Sequence, residues 1–158
     1  MGTKNGFGNA QILALAGGIV SIISVFLPWY SAKTSGFGNA SSISVNGLGS
    51  ISGNGLLLGL WSEKASWEFQ GIGVLALGIA TIAVVVFLRE KIQSMAMFIF
   101  GVLIIGGWVI NIRSIWEFSG DFMGATMQSG AGYGLYIVAL AGVLVAAGGL
   151  LSWRDNPK

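Results

Sequence analysis

The chain contains no histidine and no cysteine among its 158 residues. Those absences remove the Ser–His and Cys–His nucleophile pairs, thiolate metal sites, imidazole-ligated haem and any disulfide framework. Charge is scarce as well. Asp, Glu, Lys and Arg make up 9% of the residues, against about 25% in soluble domains. The net charge of +2 is a small excess over very few charges, and no basic patch exists that would bind nucleic acid. Met95, Met97, Met123 and Met127 are soft donors in principle, but methionine more often fills gaps in apolar packing. With no candidate base and no metal-ligand set, the sequence points away from an enzyme and calls for no cofactor and no metal.

What the chain has in quantity is apolar sequence, at 54%. Four stretches carry no charged side chain, at about 10–30, 69–88, 92–112 and 132–153. A helix rises about 1.5 Å per residue, so about 20 apolar residues cross a hydrocarbon core of about 30 Å. The expected fold class is therefore an all-α membrane protein, a four-transmembrane-helix bundle forming one domain over residues 1–158. Its first partner is the lipid bilayer. Lys4, Arg89, Lys91, Arg154 and Lys158 lie at one set of span ends, and Lys33, Lys64 and Arg113 at the other. The bias of Lys and Arg toward the cytoplasm then places both termini inside, in an integral and plasma-membrane setting. A signal peptide fits the first stretch less well, because only Lys4 precedes it and Tyr30-Ser31-Ala32 is a poor cleavage site.

Within the spans the polar groups are weak: Ser21, Ser24, Thr81, Gln93 and Asn111. An ionisable residue would mark a proton or ion pathway, and none is there, so a pump or proton-coupled transporter is disfavoured. Small-xxx-small pairs recur at Ala14 and Gly18, Ala76 and Ala80, and Gly142 and Ala146. Such pairs let helix backbones approach closely in lipid, either within one bundle or at a dimer face.

Two outside loops remain, at about 31–68 and 113–131. In the first, Ser42-Ile43-Ser44-Val45 alternates with the period of two of a half-buried strand. Asn46-Gly47 precedes Leu48–Ser52, and Asn54-Gly55 precedes Leu56–Trp61. Asn-Gly favours type I′ hairpin turns, so these runs predict a small three-stranded antiparallel meander in the first loop. The second loop is Gly-rich and is expected to begin as a helical extension of the third span. Trp67 and Trp116, in the repeated Trp-Glu-Phe-x-Gly, suit the membrane interface. Asn39-Ala40-Ser41 fits an N-glycosylation acceptor.

Ile22-Ile23-Ser24-Val25-Phe26-Leu27-Pro28-Trp29, followed after a long loop by Gly59-Leu60-Trp61, resembles the claudin and peripheral-myelin-protein group of four-span proteins. Asn111–Phe118 is similar to the extracellular end of the claudin third helix, and Gly132–Tyr136 with Gly148–Leu151 to the fourth span. The chain departs from that family in lacking the two cysteines after Gly-Leu-Trp and the basic residue before the second span. The resemblance implies a left-handed bundle topped by a β-sheet, with Trp29, Gly59, Leu60 and Trp61 as the signature and extracellular anchor. Trp29 and Trp61 would pack together in place of the missing disulfide.

The function expected on these grounds is that of a non-enzymatic, claudin-like integral membrane protein, self-associating as a homo-oligomer for cell–cell or envelope contact or for barrier formation. Glu63, Lys64, Glu68, Glu117 and Asp121 would set charge selectivity if a pathway forms between cells, as rings of charge do in pores. The alternative is a small accessory subunit that packs against other membrane subunits of an enzyme complex.

Overall fold

The computed structural model describes residues 8–36, 40–54, 70–88, 90–115, 118–122 and 125–155. In chain order the elements are α1 (Asn9–Val25), β1 (Pro28–Ser35), β2 (Ser41–Asn46), β3 (Ile51–Asn54), α2 (Gln70–Phe87), α3 (Glu90–Ser114), β4 (Phe118–Phe122), β5 (Ala125–Ala131) and α4 (Tyr133–Asp155). The four helices of the described residues form one helical layer, closed on itself by contacts of α1 with α2, α2 with α3, α3 with α4 and α4 with α1. The five strands form a single antiparallel sheet across one end of it, in the order β3-β2-β1-β5-β4.

Helix α1 opens with the Gly8 N–H donating to the Gln11 side chain at 3.0 Å, which satisfies one orphan donor of the first turn. It closes at Phe26, whose N–H bonds the Ile23 carbonyl at 3.1 Å. Pro28 follows, and a residue without an N–H, with φ held near about −65°, suits the start of a strand better than a helix interior. The chain therefore leaves the helical layer here and enters β1, the central strand.

At the far end of the layer, Gln11 Nε2 donates to Gln93 Oε1 at 3.1 Å, and the Ser94 and Ser152 hydroxyls pair at 2.7 Å. These bonds bring the starts of α1 and α3 beside the end of α4. The small residues serve contacts inside the protein: a Cβ at Gly17 of α1 would stand 2.9 Å from the Val145 nitrogen of α4. Gly142 lies against Gly101 and Ile104 of α3, and Gly148 against Ala10 and Ala14 of α1.

The helical layer buries a few weak polar groups within its apolar core and exposes many large apolar side chains. Ser21, Ser24, Thr81, Gln93 and Asn111 are all buried. Each donates to a backbone carbonyl, of Gly18, Ser21, Leu77, Val85 and Gly107 respectively, so none carries an unanswered donor into the interior. Ile12, Ile19 and Ile23 of α1, Ile72 and Ile79 of α2, Ile110 of α3, and Leu140 and Leu150 of α4 are instead exposed. Among the described residues, two helices are long and apolar enough to cross a membrane, Ile92–Ser114 and Tyr133–Asp155, each of 23 residues. The apolar helices Asn9–Val25 and Gly71–Phe87 are shorter.

This architecture corrects the expected all-α, four-transmembrane-helix bundle with a small sheet in the first loop. The fold is α+β, because five strands pair into one sheet and, among the described residues, two of the four helices have the spanning length. The first apolar stretch loses its last residues to β1, since Pro28-Trp29-Tyr30 pair as strand rather than continuing the helix. The second loop is a β-hairpin, in which Ser119 faces Gln128 and Asp121 faces Thr126. The expected meander also differs in register. Residues 46–50 form a turn in which Asn46 Oδ1 accepts from the N–H groups of Leu48 (3.0 Å) and Ser50 (2.8 Å). The positive φ falls at Gly49 (80°), so the turn is longer than a two-residue Asn-Gly type I′ turn. Leu56–Trp61, read as a third strand, lies outside the described residues, and the other neighbour of β2 is β1.

Candidate functional site: the outer face of the sheet

Successive side chains of a strand point to opposite faces, and here the two faces differ sharply. Tyr30 and Ala32 of β1 and Ile43 and Val45 of β2 are buried. They join Val25 of α1, Ile104 of α3 and Leu135 of α4 in one apolar core that fastens the sheet to the helices. The alternate positions are polar. Lys33 on β1 stands opposite Ser42 on β2 and Gln128 on β5, and Gln128 stands opposite Ser119 on β4. Two residues along, Ser35 stands opposite Thr126, which stands opposite Asp121.

Several of these groups hold one another in place. The Ser42 N–H donates to Asn54 Oδ1 at 2.9 Å, and the Thr126 hydroxyl donates to Asp121 Oδ1 at 2.7 Å. A hollow of about 420 Å³ at the end of β1 is lined by Lys33, Ser35, Ser42, Asn54, Thr126 and Gln128, and also by Thr34, Ala40 and Ser41. A second of about 270 Å³ shares Lys33 and Gln128 with it and extends over Ser31, Ser129 and Gly130. Lys33 and Asp121 are the charged residues of the five strands. Neither takes part in an ion pair among the described residues; the pair found there joins the exposed neighbours Arg154 and Asp155 at 3.8 Å. Also among the described residues, no group of three carboxylates is placed to hold a metal ion. The described face offers hydroxyls, amides and two opposite charges, Lys33 and Asp121.

Trp29 belongs to the mounting of this face. Its ring is buried, and its indole N–H donates to the Ser24 carbonyl at 2.9 Å. Gly47 lies flat against the ring, where a Cβ would come within 2.7 Å of it. The Gly47 N–H donates to the Val25 carbonyl and the Gly132 N–H to the Trp29 carbonyl, both at 2.8 Å. One residue thereby ties the end of α1, the β2–β3 turn and the start of α4.

Of the residues singled out from the sequence, the structure places Trp29 at that junction and Asp121 on the outer face of β4. Asn39, Gly59, Leu60, Trp61, Glu63, Lys64, Glu68 and Glu117 lie outside the described residues, and with them the expected Trp29–Trp61 contact. Sequence reasoning missed Lys33, Thr126 and Gln128 as parts of one face. The available signal was the alternation in Tyr30-Ser31-Ala32-Lys33, faint because Ala and Ser differ little in polarity. The chain matches no protein-family model and no curated protein.

Proposed function

We propose that the chain is a non-enzymatic membrane protein of claudin-like type that self-associates, using its sheet to make contact between apposed membranes or within an envelope. The observation that carries this reading is the opposition of two surfaces, an apolar exterior around the helices and a polar outer face on the sheet. An Ile or Leu side chain left in water forgoes about 1.5–3 kcal/mol relative to burial. The exposed Ile and Leu side chains on all four helices favour a hydrocarbon surround, whereas the Ser, Thr, Asn and Gln of the sheet favour water.

In this reading α3 and α4 cross the bilayer, with α1 and α2 packed alongside and their outer faces against lipid. The sheet stands outside the plasma membrane, and both termini lie in the cytoplasm beside Arg154 and the other cationic residues. The outer sheet face is rigid because its opposite side is part of the core, so it presents a preformed contact surface and little ordering entropy opposes binding.

The test is reconstitution into vesicles with the sheet outward. Vesicles bearing the protein at high density cluster, as followed by light scattering, while protein-free vesicles stay monodisperse. Monodisperse protein-bearing vesicles would rule out the contact reading.

A further inference from the structure

The two charges on the sheet are placed so that the face is complementary to itself. Lys33 and Asp121 lie on β1 and β4, with β5 between them. Their rows are two residues apart, because Lys33 pairs with Gln128 and Asp121 with Thr126. With strands about 4.8 Å apart and a rise of about 3.4 Å per residue, the line from Lys33 to Asp121 is about 12 Å long. Its midpoint falls over β5 at the level of Met127.

We propose that the outer face of the sheet docks on the same face of a second copy of this chain in an opposed membrane, with Lys33 of each copy over Asp121 of the other. This rests on the contact function proposed above and specifies its interface. A two-fold axis running between the facing sheets, perpendicular to the Lys33–Asp121 line and through its midpoint, forms both ion pairs at once. The arrangement is isologous and closes after two copies. Lys33 lines the 420 Å³ hollow, and Asp121 lies beside it on the edge strand β4, where its carboxylate accepts from Thr126 of the hollow's lining.

The remaining contacts are between hydroxyls and amides. Each of these can donate and accept, so they set no sign of their own. The opposite charges supply register and orientation. A single interface of this kind is weak, and many copies on apposed membranes make it effective by avidity.

Charge exchange tests the interface. Vesicles bearing Lys33→Glu carry only acidic groups at the two positions, and those bearing Asp121→Lys only basic ones. Each population on its own should cluster at least about tenfold more slowly than wild type, because like charges then face each other. A mixture of the two populations should cluster again, and so should vesicles bearing both substitutions in one chain. That recovery separates a lost contact from a misfolded sheet. If wild-type vesicles cluster and the single variants cluster equally well, or the mixture fails to recover, this interface is wrong while the contact function stands. If wild-type vesicles do not cluster, both fall together.

Discussion

Replacing Trp29 by alanine should release the sheet from the helical layer while leaving the helices folded. The indole is 3% exposed. A Trp ring buries about 200 Å² or more, so its removal forgoes about 5 kcal/mol at about 25 cal/mol per Å². Measured Trp→Ala losses run at about 3–5 kcal/mol, because neighbouring atoms collapse partly into the space. The substitution also leaves the Ser24 carbonyl without its indole donor, although that oxygen keeps the Leu27 N–H at 3.2 Å. Because each 1.4 kcal/mol is about a factor of ten, a loss of about 3 kcal/mol lowers amide protection about a hundredfold wherever Trp29 sets the opening energy. Those amides are in β1, β2 and the turn at residues 46–50, which the Trp29 ring and its Gly47 contact hold to α1. Hydrogen exchange in lipid or mild detergent reads the two layers separately. The expected result is fast exchange across 28–46 with α3 and α4 still protected. Trp29→Phe, which keeps an aromatic ring but loses the N–H bond, should cost only about 0.5–1.5 kcal/mol for that bond. Unchanged protection in the sheet of Trp29→Ala would refute the anchoring argument. So would equal loss of protection in all four helices, which would mean that sheet and helices open as one unit.

Asn46→Ala removes the oxygen that accepts from both Leu48 and Ser50, which should cost about 1–3 kcal/mol and raise exchange in the β2–β3 turn. A variant whose turn and melting temperature match wild type would show that Gly49 alone holds the bend. Membrane orientation is directly testable because the chain has no cysteine of its own. An impermeant maleimide added to intact cells should label Ser35→Cys, on the exposed end of β1, but label Asp155→Cys, at the end of α4, only after permeabilisation. The reverse pattern would invert the assignment.

The positions of the four helices were legible because apolar runs of that length and freedom from charge have few other uses. So was the turn after β2, since Asn46 and the glycines beside it combine a side-chain acceptor with access to positive φ. The strand character of Ser42–Val45 was legible from alternation alone. The first helix was read too long because hydropathy does not distinguish an apolar helix end from a buried strand: Trp29 and Tyr30 are as apolar in β1 as they would be in lipid. The hairpin of β4 and β5 was read as a loop because its glycines and short polar side chains weaken the period-two pattern, and because its order comes from pairing with β1.

From its sequence alone, this protein was bound to be a charge-poor, disulfide-free chain with apolar helices and polar loops, because those properties belong to local composition. The tertiary structure decided the rest. It made one five-stranded sheet out of two loops, with Tyr30 facing Ala131 and Lys33 facing Gln128 across about a hundred residues of chain. No local periodicity encodes such a pairing, since alternation specifies which face a side chain takes but not which strand lies beside it. The placement of Lys33 and Asp121 on one face, about 12 Å apart by strand spacing, follows from that register alone.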